Sequence, residues 1–496
     1  MTSASDLHNF FSSKGYKMII AAHGEPRVSR FVNNEFITEN PAGGVSVALD
    51  SIAQATNALY IALAKNPDEK KGLDRNNSMK IKGVNGEYTL KRLFLNKTDV
   101  ENYYSGFSNQ TLWPLCHIAY EEPRWTEDWY RSYRKVNEQY AAAIKKSIPW
   151  GQKTFIWIND YQLALVPLLL GRSKNTVVSM FWHIPWPTWE IFRILPYKKE
   201  ILRSMLYCDF LAFHRGYQAR NFLQTVDREL QSRIDYETQT VFFHNTSTSV
   251  RNLPMGIDTD VVKTLLAEEK EREKSQNSES INDRSLMINQ YFGKYKIIFG
   301  VDRLDYTKGL RSRLKALDKF YEKNPSYKKR TVYVGILAPS RESIPSYQKL
   351  RMEVEELAVD INLKYGTRDW KPIHLIYEVF QREEIIKFYS HADVCVVTPL
   401  DDGMNLVSKE FVVSSAASEN PGMLVLSQFT GSAIDLTSAL IVNPYDIDKV
   451  ADAIRAALEM PKKEKASKMK RMTALLEENN VYEWGKEFIR EAILAK

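Results

Sequence analysis

Cysteine is scarce: Cys116, Cys208 and Cys395 are the three in 496 residues, far apart, in apolar surroundings and without CxxC spacing. That excludes a disulfide framework and a cysteine zinc site, and predicts reduced core residues. Long apolar runs are lacking too. None reaches the roughly 18–20 residues of a membrane span, and the N-terminal MTSASDLHNFFSSKGYK lacks the basic-then-apolar order of a signal peptide. The expectation is a soluble, cytoplasmic chain with no membrane attachment. Nor does charge of one sign dominate: 68 Lys+Arg against 61 Asp+Glu leave a net +7 spread through mixed-sign segments. Such a distribution gives no basic stripe for nucleic acid, although an anionic small molecule requires far less.

What is present is globular, with 44% hydrophobic and 26% charged residues. Cores stop growing near ~250–300 residues, so two domains with a cleft between them are expected. Short β-rich runs begin at Lys17, Thr154, Thr176, Phe210, Lys296, Thr331, Ile373, Val394 and Met423. They read as strands buried on both faces. Helical periodicity lies between them, at Leu310–Asn324, Ser346–Tyr365 and Val450–Leu458. Alternating strand and helix predicts an α/β fold of two doubly wound parallel sheets with right-handed crossovers. The charged Leu265–Arg284 reads as an exposed helix fraying into a loop, and a hinge is expected near Gly256. The boundaries read from this are 1–256, 257–480 and a C-terminal amphipathic helix, 481–496, able to pack on either domain.

The segment Gly300-Val-Asp-Arg-Leu-Asp-Tyr-Thr-Lys-Gly-Leu310 follows a strand and opens a helix. Arg303 and Lys308 there fit a diphosphate at the carboxyl edge of a sheet, with flanking glycines letting the backbone approach a ligand. They equally fit surface charges paired with Asp302 and Asp305. A second edge, Val396–Glu410, presents Asp402-Gly403-Met404-Asn405 at a helix start, with Glu410 further along. Carboxylates and backbone N–H groups suit sugar hydroxyls, while an N-cap at Asp402 and a solvated Glu410 are the plainer alternative. Asp160 and His183 each follow a strand, and prolines fix the turn around His183. Tyr104 and Trp113, in YYSGFSNQTLWPLCH, are either sugar-stacking or core aromatics.

Taken in order, Gly43-Gly44, YYSGFSNQTLWPLCH, NDYQL, HIPWPTWEIFRILP, GVDRLDYTKGL, APSRES and TPLDDGMNLVSKE resemble the trehalose-6-phosphate synthases, retaining glycosyltransferases with two facing Rossmann-like domains, the GT-B architecture. The resemblance implies a nucleotide-glucose donor held by the C-terminal domain and a phosphorylated sugar acceptor, commonly glucose 6-phosphate, held by the N-terminal one. It implies that Arg303 and Lys308 grip the donor diphosphate, so that no metal and no cofactor is required. Asp402, Gly403, Met404, Asn405, Leu406 and Val407 would hold the donor, Glu410 its ribose, and Gly44 a backbone contact to it. His183 and Asp160 would flank the transferring sugar, and Tyr104, Trp113 and Arg341 the acceptor, Arg341 toward its phosphate. No nucleic acid partner is implied, and a homo-oligomer is left open.

Three positions depart from the family pattern. Ala22-His23-Gly24 stands where an arginine expected at the acceptor phosphate would be, with Arg27 or Arg30 as substitutes and Glu25 an adverse neighbour. Asn159 and Gln162 flank Asp160 in place of two histidines, and Asp401 replaces an arginine. Two further readings follow: the same donor chemistry on another acceptor, such as glycerol phosphate or a cyclitol phosphate, or a non-catalytic regulatory subunit of a trehalose-synthesis complex.

Overall fold

The computed structural model describes residues 2–32, 35–39, 44–274 and 293–496. The chain divides into two compact units, Met1–Gly256 with Asn480–Lys496, and Ile257–Asn479. Each of the nine β-rich runs forms a strand, and each of the three helical patterns a helix: Leu310–Lys323, Pro345–Tyr365 and Ile447–Glu459.

The first unit holds a ten-stranded sheet. Its order is Arg233–Asp235, Thr240–Phe243, Thr246–Asn252, Phe210–Phe213, Thr176–Phe181, Lys153–Asn159, Tyr16–Ala21, Leu59–Leu63, Gly86–Leu93 and Ser78–Gly83. The strands from Thr246–Asn252 to Gly86–Leu93 are parallel, and antiparallel hairpins close both edges. Among the parallel strands chain order runs outward in both directions from Tyr16–Ala21, so the switch point lies between that strand and Lys153–Asn159.

The second unit's six strands are all parallel: Ile373–Ile376, Thr331–Ala338, Lys296–Arg303, Val394–Val397, Met423–Ser427 and Leu440–Val442. Numbered along the chain this is 3-2-1-4-5-6, the doubly wound order, in which ligands bind beyond the carboxyl ends at the switch point. Here that point falls between Lys296–Arg303 and Val394–Val397.

The C-terminal helix Val481–Leu494 belongs to the first unit. Phe488 stacks on Trp157 with centroids 4.0 Å apart, and a Cβ on Gly485 would lie 2.3 Å from Ile52 Cδ1. Close packing thus accounts for a glycine inside a helix, where it costs roughly 0.5–1 kcal/mol against alanine. Asn480 caps this helix through the N–H groups of Tyr482 and Glu483 and donates to Thr2 O at 2.9 Å, which ties it to the same unit.

Some elements were not read from the sequence. Glu101–Leu112 is a π-helix, a rare form that recurs at functional sites. The edge strand Ser78–Gly83 and its neighbour Gly86–Leu93, the latter alternating in burial, lack the continuous apolar run of central strands. Of the charged segment, 265–274 lies in the helix Thr259–Lys274, with Leu266 buried, and 275–284 lies outside the described residues. The three cysteines are buried free thiols, and burial pushes those of Cys208 and Cys395 well up. Among the described residues no helix is long and apolar enough to cross a membrane.

Candidate functional site

In the second unit two turns meet at the switch point. The first runs from Arg303, the last residue of its strand, through the Tyr306–Lys308 turn into Leu310–Lys323. Asp305 shapes it, accepting hydrogen bonds from Thr307 N at 3.1 Å and Thr307 Oγ1 at 3.0 Å. The second follows Val394–Val397, and Leu400 N donates to Thr307 O at 2.7 Å. Gly309 has φ +66°, and a Cβ there would lie 2.2 Å from Thr398 O. A Cβ on Gly300 would lie 2.6 Å from Tyr333 Oη and 2.7 Å from Arg313 Nη1. The two glycines expected to admit a ligand therefore admit protein atoms: they let the turns close on each other and on Arg313.

Lys308 Nζ lies 2.6 Å from Asp402 Oδ2, which also accepts from Asn405 Nδ2 at 3.1 Å. The cap of helix Leu406–Ala416 is Asn405, at φ +80°, whose Oδ1 accepts from Ser408 N at 3.0 Å; Asp402 is not the N-cap. This leaves the Asp402 carboxylate to the lysine, with Leu406 and Val407 in the helix's first turn and Gly403 and Met404 in the loop before it. Glu410 is not solvated. It is buried 2.9 Å from Arg382 Nη2, an ion pair without hydrogen-bond alignment.

Arg303 and Arg341 approach Asp305 Oδ2 at 3.6 and 3.4 Å, and Arg341 also donates to Tyr347 Oη. Burial alone would raise the Asp305 carboxyl, but Arg341, Arg303 and Lys308 outweigh it and hold it at about 2. It stays ionised as the anchor of three cations. Asp302, the other expected partner of Arg303 and Lys308, instead lies 2.7 Å from the buried Arg313.

In the first unit, Asp160 follows strand Lys153–Asn159 at φ +72°, and its Oδ1 accepts from His183 N at 2.9 Å. His183 Nε2 is 2.8 Å from Asn159 Oδ1 and its Nδ1 is 3.1 Å from His214 Nε2. An amide oxygen only accepts, so Nε2 carries the hydrogen and Nδ1 takes one from His214. Burial, with His214, pushes His183 well below the usual imidazole range. Asn159 thus occupies a position beside a neutral His183.

The acceptor-side expectations divide. Tyr104 lies on the π-helix and stacks on His23, centroids 4.1 Å apart at 3°. Trp113 is buried, 4.2 Å from the His117 ring and 6.0 Å from that of Tyr161. Gly44 precedes helix Val45–Thr56 at φ +67°, a conformation glycine adopts without strain. Arg27 does not take over from the absent arginine: it makes a bidentate pair with Asp50, Nε–Oδ1 2.9 Å and Nη2–Oδ2 2.9 Å. Glu25 turns inward, its Oε2 2.6 Å from Arg92 Nη2, with both side chains fully buried. The side chain of Arg30, and Gly43, lie outside what is described.

Within one unit, then, Lys308, Asp402 and Asn405 come together, as do Arg303 and Arg341 around Asp305; in the other, Asp160 and His183 do. Tyr104 and Trp113 belong to the first unit and Arg341 to the second. Sequence reasoning did not single out Arg313, Arg382 or His214 as functional, because each matters only through a partner far along the chain.

Comparison with known proteins places the chain among relatives of one family. The family model for glycosyltransferase family 20 matches residues 16–493. The α,α-trehalose-phosphate synthase (UDP-forming) of Candida albicans is 32% identical over 484 residues, covering 96% of this chain and 97% of that protein. A solved E. coli trehalose-6-phosphate structure bound with UDP-2-fluoro glucose is 30% identical with TM-score 0.82, covering 96% of this chain and 98% of that one. The synthase of Burkholderia xenovorans in complex with glucose-6-phosphate is 27% identical with TM-score 0.81, covering 96% and 99%.

Proposed function

The chain belongs to glycosyltransferase family 20, and from that premise we propose that it transfers glucose from UDP-glucose to the anomeric hydroxyl of glucose 6-phosphate, releasing UDP and trehalose 6-phosphate. It is an enzyme of GT-B architecture. The observation that carries the reading is the cationic set of Arg303 and Lys308 at the switch point of the second sheet, with Asp402 and Asn405 beside it. That unit takes the donor. Arg303 and Lys308 meet the charge growing on the diphosphate, in place of a metal or cofactor. Asp402, the loop residues Gly403, Met404 and Asn405, and the N–H groups of Leu406 and Val407 take the glucose and diphosphate, and Glu410 takes the ribose. The first unit takes the acceptor, with Tyr104 and Trp113 against its ring.

The transfer retains configuration. The C1–O bond to the diphosphate breaks, the acceptor oxygen bonds C1 on the same face, and a diphosphate oxygen takes the acceptor's proton. No paired-carboxylate double displacement is needed. Neutral His183, with Nδ1 engaged by His214 and Nε2 by Asn159, takes no proton. A cytoplasmic setting belongs to the same proposal, supported by the buried free thiols.

A second reading keeps the donor chemistry and changes the acceptor to glycerol phosphate or a cyclitol phosphate. One observation favours it: Arg27 is committed to Asp50 in a loop that reads Ala22-His23-Gly24. The test for both is a matrix of UDP-, ADP- and GDP-glucose against glucose 6-phosphate, glycerol phosphate and inositol phosphate, scored by nucleotide release with and without a chelator. UDP release only with glucose 6-phosphate, unchanged by chelator, is expected. Release with another acceptor alone would select the second reading, and no release with any pair would overturn both.

A further inference from the structure

The buried side chain joining the two switch-point turns is Arg313, on the first turn of helix Leu310–Lys323 and only 1% exposed. Its guanidinium spends its donors on four partners. Nη1 lies 2.7 Å from Asp302 Oδ2 and donates to Tyr333 Oη at 3.3 Å. Nε donates to Thr398 Oγ1 at 3.0 Å, and Nη2 to the backbone O of Lys308 at 3.3 Å. Two of these bonds reach the Lys308 turn and the strand end that leads to Asp402, and a third fixes the guanidinium's own plane against Asp302. Gly300 and Gly309 leave the space in which this happens.

We propose that Arg313 is a positioning residue for the transfer reaction: by holding Lys308 O and Thr398 Oγ1 on one rigid fork, it sets where the Lys308 ammonium stands relative to Asp402. The inference rests on Lys308 acting at the donor diphosphate. A planar fork can hold two loops in register and a point charge cannot, so lysine is not an equivalent here. A catalytic ammonium displaced by about 1 Å loses rate out of proportion to the stability lost.

The test uses the full chain and two variants, Arg313→Lys and Thr398→Val. R313K keeps a cation opposite Asp302 while losing the fork, and T398V removes one of its acceptors without touching the arginine. R313K should lower kcat about 10–100-fold with the glucose 6-phosphate KM unchanged, and T398V should do the same more weakly. The double variant R313K/K308A should be no slower than K308A, because the arginine acts through the lysine. R313K or T398V with wild-type kcat, while K308A is slowed by orders of magnitude, would overturn the inference and leave the functional reading standing. So would additive losses in the double variant. K308A with wild-type activity would instead overturn the reading on which the inference rests. If R313K fails to fold, T398V decides alone.

Discussion

Lys308 Nζ and Asp402 Oδ2 stand 2.6 Å apart although 94 residues separate them in the chain. The pairing follows from strand order: adjacent parallel strands at the switch point send their following turns to the same edge, where one turn carries an ammonium and the other a carboxylate. In the proposed reaction the ammonium meets the donor diphosphate and the carboxylate the donor sugar.

Arg303→Ala and Lys308→Ala should each lower turnover by on the order of 10²–10³, the usual loss for one preorganised charge-stabilising donor. Arg303 is 43% exposed and 3.6 Å from its partner, so R303A should leave the melting temperature nearly unchanged. Steady-state kinetics with calorimetry checks both. A large drop in melting temperature with activity kept would make the arginine structural.

Asp305 gives an acid-side prediction. Its folded-state value of about 2 lies below the ordinary 3.8, so its contribution is present above pH 3.8 and lost as pH falls toward 2. The difference amounts to about 2 kcal/mol. Asp305→Asn should be less stable at neutral pH and show a flatter acid limb in urea titrations between pH 2 and 6. An unchanged limb would refute the carboxylate's role as anchor.

His183 acts in the same direction on the pH axis, in a higher window. Its folded-state value lies below the ordinary 6.5, so the unfolded chain takes up a proton that the native chain refuses. Its contribution to stability is therefore full above pH 6.5 and declines as pH falls below it. Urea midpoints from pH 5 to 8 should fall on the acid side for the wild type and fall less for His183→Gln. Equal slopes would show that the imidazole is not held neutral.

Arg27→Ala should cost roughly 2–4 kcal/mol, somewhat under the loss typical of a fully buried pair, because Asp50 keeps its bonds from Gln54 and Tyr88. The KM for glucose 6-phosphate should barely move. A rise in that KM without loss of stability would return Arg27 to the acceptor phosphate.

The sheets were legible because strands buried on both faces read as unbroken apolar runs, as in Val394-Cys-Val-Val and Met423-Leu-Val-Leu. A strand near the edge such as Gly86–Leu93, half exposed and alternating, gave a weaker signal. Of the site, Arg303, Lys308, Asp402 and Glu410 stood out through their motifs, but their partners did not. Arg311 and Arg313 are indistinguishable in sequence, yet a helix turns them to opposite faces: Arg311 is half exposed beside Glu353, while Arg313 is buried at the turn junction. Glu25 read as a repulsive charge near the acceptor until its partner Arg92, 67 residues on, was seen to turn it inward.

The most direct test of the central claim is a proton NMR spectrum of the product formed by the wild-type protein from UDP-glucose and glucose 6-phosphate, with a chelator present. The account predicts one non-reducing phosphorylated disaccharide per UDP released, both anomeric protons showing the small coupling of the α configuration. A large coupling at the transferred glucose, or UDP release without disaccharide, would contradict it.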